Sequence, residues 1–214
     1  MNQYPLLTYI SLFSTVLPIC AGISNIMRMD RGMKVLISYL IFIFVANIIL
    51  MWFIRGRVLM IGLTHVYYIL EYVFIMTILY KWQESNSTKR FIKTLILVYI
   101  LFWIIAKFTF EPLSGLYSIT ATTSQVLLTL CAGYTLFIVI GNREQPLMNN
   151  YRFWVLLSFV IYYTGTLLSI ALRGILIHYA IGIFILVASI DWTMKILFSI
   201  LIFIGFLCPQ TRIK

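Results

Sequence analysis

Residues 35–54 read VLISYLIFIFVANIILMWFI, with no charged side chain between Lys34 and Arg55. At about 1.5 Å rise per residue, a helix of about 20 residues crosses the roughly 30 Å hydrocarbon core of a bilayer. The run lacks the polar stripe that a helix lying on a soluble core would show. Its solvent is therefore lipid, and Asn47 is its only amide.

Comparable runs recur along the chain. They fall at 6–23, 58–80, 92–108, 117–140, 153–172 and 184–208, which with 35–54 makes seven expected transmembrane helices in one domain of 214 residues. The composition demands this: 62% of residues are hydrophobic and 10% are charged, too few to solvate a globule of this size. The fold class expected is all-α, a polytopic seven-helix bundle. Loops this short make consecutive helices antiparallel neighbours. Met1–Pro5 has no basic start like that of a signal peptide, so the first segment is expected to stay in the membrane.

The net charge of +10 does not form a nucleic-acid face, because the bases are spread over short loops between apolar runs. Alternate loops differ in Lys and Arg content. One set carries Arg28, Arg31, Lys34, Lys81, Lys89, Arg90, Lys93, Arg143, Arg152, Arg212 and Lys214. The other carries only Arg55, Arg57 and Arg173. Basic loops stay in the cytoplasm, so the N-terminus is expected outside and the C-terminus inside. The apolar stretch 174–183 is expected to be an interfacial segment leading into the seventh helix, since an eighth span would leave two short helices joined at Asp191. Cys20, Cys131 and Cys208 lie in or at the ends of apolar segments and suggest neither disulfides nor metal.

Polar side chains inside the membrane are costly, about 2.5–3.5 kcal/mol for a central charge, and each demands a partner or a cavity. The candidate ligand-binding set is Asn47, His65, Tyr68, Glu71, Gln125, Tyr162, Asp191 and Lys195. On the expected topology these lie mostly between the outer surface and the midplane, in a polar pocket open to the outside. Ser118, Thr122, Gln125 and Thr129 share one helical face, as do Ser158, Tyr162, Thr166 and Ser169. Asp191 and Lys195 stand in the i, i+4 order that favours an intrahelical ion pair. Glu71 then needs protonation or a bond from His65, Gln125 or Lys195. Lys107 is expected to snorkel outward, His178 to lie at a surface, and Pro18 to kink the first helix. No catalytic nucleophile, metal site or resident cofactor is indicated.

His65-x5-Glu71, Phe153-Trp154, Ile161-Tyr-Tyr-Thr-Gly165 and Gly205-Phe-Leu-Cys208 together resemble a family of small bacterial seven-helix membrane proteins without an assigned activity. The resemblance runs the length of the chain and implies a bacterial inner membrane. This sequence departs from the family at Asn47, where an acid is usual, and at Asp191-x3-Lys195, where His-x3-Asn is expected. Asp191-x3-Lys195-x2-Phe198 is also similar to the retinal-binding helix of microbial rhodopsins, which implies a Schiff base on Lys195 with Asp191 as counter-ion. The Arg and Asp-Trp pattern of the rhodopsins' third helix is missing here, as are the Trp and Pro of their sixth. Ser14–Gly22 echoes Ser124–Gly133 and is similar in arrangement to the two three-helix repeats of seven-helix sugar transporters.

These features lead to a receptor-like or sensory protein that binds a small molecule or lipid and signals to a separate cytoplasmic protein. The alternatives are a small-solute or proton-coupled transporter, a retinal protein, and an intramembrane lipid hydrolase using Glu71 and Asp191 as acid and base.

Overall fold

The computed structural model describes residues 6–52, 57–113, 119–141, 146–176 and 181–209. Side chains are described for all of these except 51–52, 57–61, 168, 171–176 and 181–186. Arg55, Ser118, Arg143, His178, Arg212 and Lys214 lie outside the described residues, as do the side chains of Arg57 and Arg173. Among the described residues every regular element is helical, with no strand. The helices are α1 (Leu6–Ser14), α2 (Val16–Asn25), α3 (Arg31–Trp52), α4 (Arg57–Trp82), α5 (Asn86–Thr109), α6 (Ile119–Gly141), α7 (Tyr151–Leu176) and α8 (Ile181–Leu207). A single 3-10 turn, Leu147–Asn149, precedes α7.

Six stretches have the length and composition of membrane spans: Leu6–Asn25, Arg31–Leu50, Gly62–Trp82, Asn86–Thr109, Ile119–Gly141 and Val187–Leu207. These make a lipid bilayer the natural surroundings of the chain. α7 is 26 residues long.

The helices outrun the apolar segments at the basic ends. α3 begins at Arg31 and α5 at Asn86, because the backbone keeps its hydrogen bonds as it enters the interface. Asp30 supports this start on α3: its Oδ1 accepts from Met33 N at 2.7 Å, a side-chain N-cap. The first span breaks at Thr15 into α1 and α2. Pro18 has no N–H for the carbonyl of Ser14, and the chain closes instead through Thr15 N to Leu12 O at 3.3 Å. The kink expected at Pro18 is present one turn before it.

α8 is one helix of 27 residues that passes through Asp191 without a break. Residues 174–176 extend α7 and 181–183 open α8, with 177–180 outside the described residues.

Packing makes a closed ring. The α1–α2 pair lies on α8 and α2 on α3; α3 lies on α4, α4 on α6, α6 on α7 and α7 on α8. α5 sits outside this ring against α4 and meets its sequence neighbour α6 only sparsely, so adjacency in sequence does not set every neighbour. The ring centre is filled by side chains with no exposed surface, among them Tyr39, Phe159 and Tyr163, while Tyr72 is buried against Tyr99 of α5.

Candidate functional site

Glu71, a little past the middle of α4, points into the ring centre and is 2% exposed. Tyr39 from α3 donates its hydroxyl to Glu71 Oε1 at 2.7 Å, and Tyr163 from α7 donates to the same oxygen at 3.2 Å. The two hydroxyl oxygens lie 3.3 Å apart. Three helices thus meet on one carboxylate. Lys195 of α8 lies within electrostatic range of it. Tyr162 stands edge-on to Tyr163 at 5.1 Å between ring centroids and packs on Phe198 at 4.9 Å, which walls this centre with aromatic carbon.

The same three helices are joined again at the basic end. Asp30, just before α3, accepts on Oδ2 from Trp82 Nε1 at the end of α4 and from Tyr151 OH at the start of α7, both at 3.0 Å. Arg152 Nη2 stands 3.9 Å from that oxygen. Gly32 lets this knot close, since a Cβ there would collide with the Trp82 indole. Nearby, Gln83 Nε2 donates to Thr135 Oγ1 of α6 at 2.8 Å. These bonds lie at helix ends, outside the candidate set named from the sequence. Interfacial acids and amides at the helix ends join the helices where charge is least costly.

The predicted site residues divide into separate groups. Gln125 (2% exposed) accepts from Thr166 Oγ1 at 3.0 Å, which also donates to Tyr162 O at 2.8 Å. One turn on, Ser169 Oγ donates to Thr166 O at 3.2 Å and to Asp191 Oδ1. The two expected polar faces of α6 and α7 do meet, and they extend to Asp191. Asp191 is thereby bonded to α7. Asn47 lies apart, its side-chain amide donating back to Ile43 O of its own helix at 2.7 Å. Tyr68 stands edge-on to Tyr67 at 5.7 Å.

His65 belongs to a different centre, six residues from Glu71 and so on another face of α4. Lys107 of α5 does not snorkel: its side chain is 5% exposed, and its Nζ lies 2.5 Å from Glu111 Oε1. The same ammonium is 3.0 Å from His65 Nδ1 and donates to Thr120 Oγ1 at 3.3 Å. An ammonium can only donate, so Nδ1 is the acceptor. Thr120, opening α6, returns its backbone N–H to Glu111 Oε2 and its hydroxyl to Oε1, both at 2.9 Å. A buried Lys has a partner here because Glu111, just beyond α5, folds back one turn. The i, i+4 spacing of Lys107 and Glu111 was the sequence signal for this pair.

Tyr39 and Tyr163 were the residues that sequence reasoning missed. A phenol in an apolar run reads as a packing aromatic until its facing helix is known. Comparison of the chain with protein-family models, curated proteins and solved structures gave no match.

Proposed function

We propose that the chain is a receptor-like or sensory integral membrane protein that recognises a small molecule or lipid at the Glu71 centre and signals to a cytoplasmic partner. The supporting observation is that α3, α4 and α7 are bonded twice, through Tyr39, Glu71 and Tyr163 at the ring centre and through Asp30, Trp82 and Tyr151 at the basic end. A ligand that takes one hydroxyl or the carboxylate at the first point changes the balance among the same three helices at the second. Differential contacts of this kind are what a two-state element needs in order to respond.

The topology that goes with this reading has seven spans, with α1 and α2 counted as one and α7 as the sixth. The N-terminus is outside and the basic end in the cytoplasm of a bacterial inner membrane. The partner would dock on the basic loops, around Lys81 to Lys93 or before Arg152.

A small-solute or proton-coupled carrier is the second reading, favoured by the chain of exchangeable protons Tyr39–Glu71–Tyr163. Retinal fits the residues poorly. Met194 and Phe198, flanking Lys195, are already packed against Gly165 and Tyr162. The hydrolase reading needs Glu71 and Asp191 on one substrate, whereas the two are bonded in separate groups.

The test is native mass spectrometry of the protein extracted from its host membrane, run beside Glu71→Gln and Tyr39→Phe and followed by flux assays in proteoliposomes. A receptor retains a defined small molecule that Glu71→Gln releases, and it carries no flux. Solute or proton flux abolished by Glu71→Gln points to the carrier. Retention unchanged in both variants overturns the Glu71 assignment.

A further inference from the structure

Ser87-Thr-Lys-Arg-Phe-Ile-Lys93 opens α5 with hydroxyls and bases and then turns apolar. α5 is also the helix that the ring leaves outside. Between its basic end and α6 lies a groove of about 470 Å³, within the roughly 300–1,000 Å³ usual for ligand pockets. Its lip is exposed: Phe91 by 60%, Leu130 by 64% and Tyr134 by 54%. The floor is closed by Ile92 and by Thr135, each 3% exposed. Thr135 is fully engaged, donating to Cys131 O and accepting from Gln83. The groove therefore opens sideways, away from the ring and from the Glu71 centre, and offers nothing polar in its depth. Ser87 and Thr88 place two aliphatic hydroxyls at its basic end.

The surrounding charge is one-sided. Lys81, Lys89, Arg90 and Lys93 face a single acid, Glu84, over this stretch. Thr88, Phe91, Ile92 and Leu95 share the groove face of α5, Lys89 flanks it, and Arg90 and Lys93 project from the opposite side. We infer that this groove binds one anionic phospholipid, an acyl chain lying along Leu95, Leu127 and Leu130 and the phosphate held at the mouth by Ser87, Thr88 and Lys89. The occupant follows from complementarity. An apolar slot open to the bilayer takes a hydrocarbon chain, and a base beside hydroxyls at the slot's interfacial end selects a negative headgroup, as basic pockets between membrane helices do.

The probe is the full-length protein reconstituted in vesicles of equal parts phosphatidylcholine and phosphatidylglycerol, then extracted and weighed intact by native mass spectrometry. The wild type is expected to retain one phosphatidylglycerol with a preference of about fivefold, the contribution of one base. Lys89→Gln brings that preference close to unity. Leu130→Trp, on an exposed lip where a larger ring is tolerated, fills the slot and abolishes retention of either lipid. Lys93→Gln leaves both quantities unchanged. Retention by the Leu130→Trp variant overturns the inference. So does a Lys93→Gln variant that loses as much preference as Lys89→Gln, since the effect would then be general surface charge.

Discussion

Glu111 and Lys107 show how one buried residue sets the fate of another. Lys107 has a 5% exposed side chain, and its charge is balanced by Glu111 with His65 and Thr120 completing the group. Removing one partner of such a pair leaves the other charge buried, at a cost of about 3–5 kcal/mol. Glu111→Gln is expected to destabilise the protein by that amount in a denaturant titration in mild detergent, and adding Lys107→Met is expected to recover most of it. A loss under about 1 kcal/mol for Glu111→Gln would mean that Lys107 reaches water after all. At the ring centre, hydrogen bonds to a charged acceptor contribute about 1.5–3 kcal/mol. Tyr39→Phe, which removes a 2.7 Å bond, is expected to cost about 1.5 kcal/mol, and Tyr163→Phe, at 3.2 Å, less. The same titration ranks the two, and an inverted order would argue that Tyr163 is the principal donor.

Helices in this bundle are placed by what their small residues allow. On α3, Gly32 lies under the Trp82 indole, and any added methyl must push the ring off Asp30. On α6, Gly133 has nothing within 4 Å of the position a Cβ would take. Overpacking costs about 1–3 kcal/mol, whereas replacing a strain-free helical glycine by alanine gains about 0.5–1 kcal/mol. Gly32→Ala is therefore expected to lower the melting temperature in detergent and Gly133→Ala to raise it slightly, as read by loss of helical circular dichroism. Equal effects would remove the distinction between a contact glycine and a lipid-facing one. α5 follows the same logic in reverse. With Phe91, Leu97, Val98 and Leu101 all more than half exposed, it presents a broad apolar surface away from the ring.

Across the whole molecule, two groups mark opposite ends of the bundle. Asp30, Trp82 and Tyr151 join the basic end, and His65, Lys107, Glu111 and Thr120 join the other. In a variant with Cys20, Cys131 and Cys208 replaced by serine, Ser85→Cys and Leu113→Cys sit on exposed positions at those two ends. A membrane-impermeant maleimide added to intact cells is expected to label Leu113→Cys and to reach Ser85→Cys only after permeabilisation. The opposite pattern would invert the proposed orientation and move the partner surface to the outside.

The spans were legible in the amino-acid order because length and apolarity are local properties, and a run such as 35–54 has no other stable solvent. The kink at Pro18 and the polar faces of α6 and α7 were legible for the same reason, since a missing N–H and an i, i+4 spacing need no knowledge of neighbours. Partner choice was not. Glu71 took two phenols instead of His65, Asp191 took the hydroxyl of Ser169, and Asn47 bonded its own helix, because each outcome depends on which helix faces which and in what rotation. Those relations are set by the ring, in which α4 lies on α6 and α5 is left outside, and no stretch of sequence carries that packing by itself.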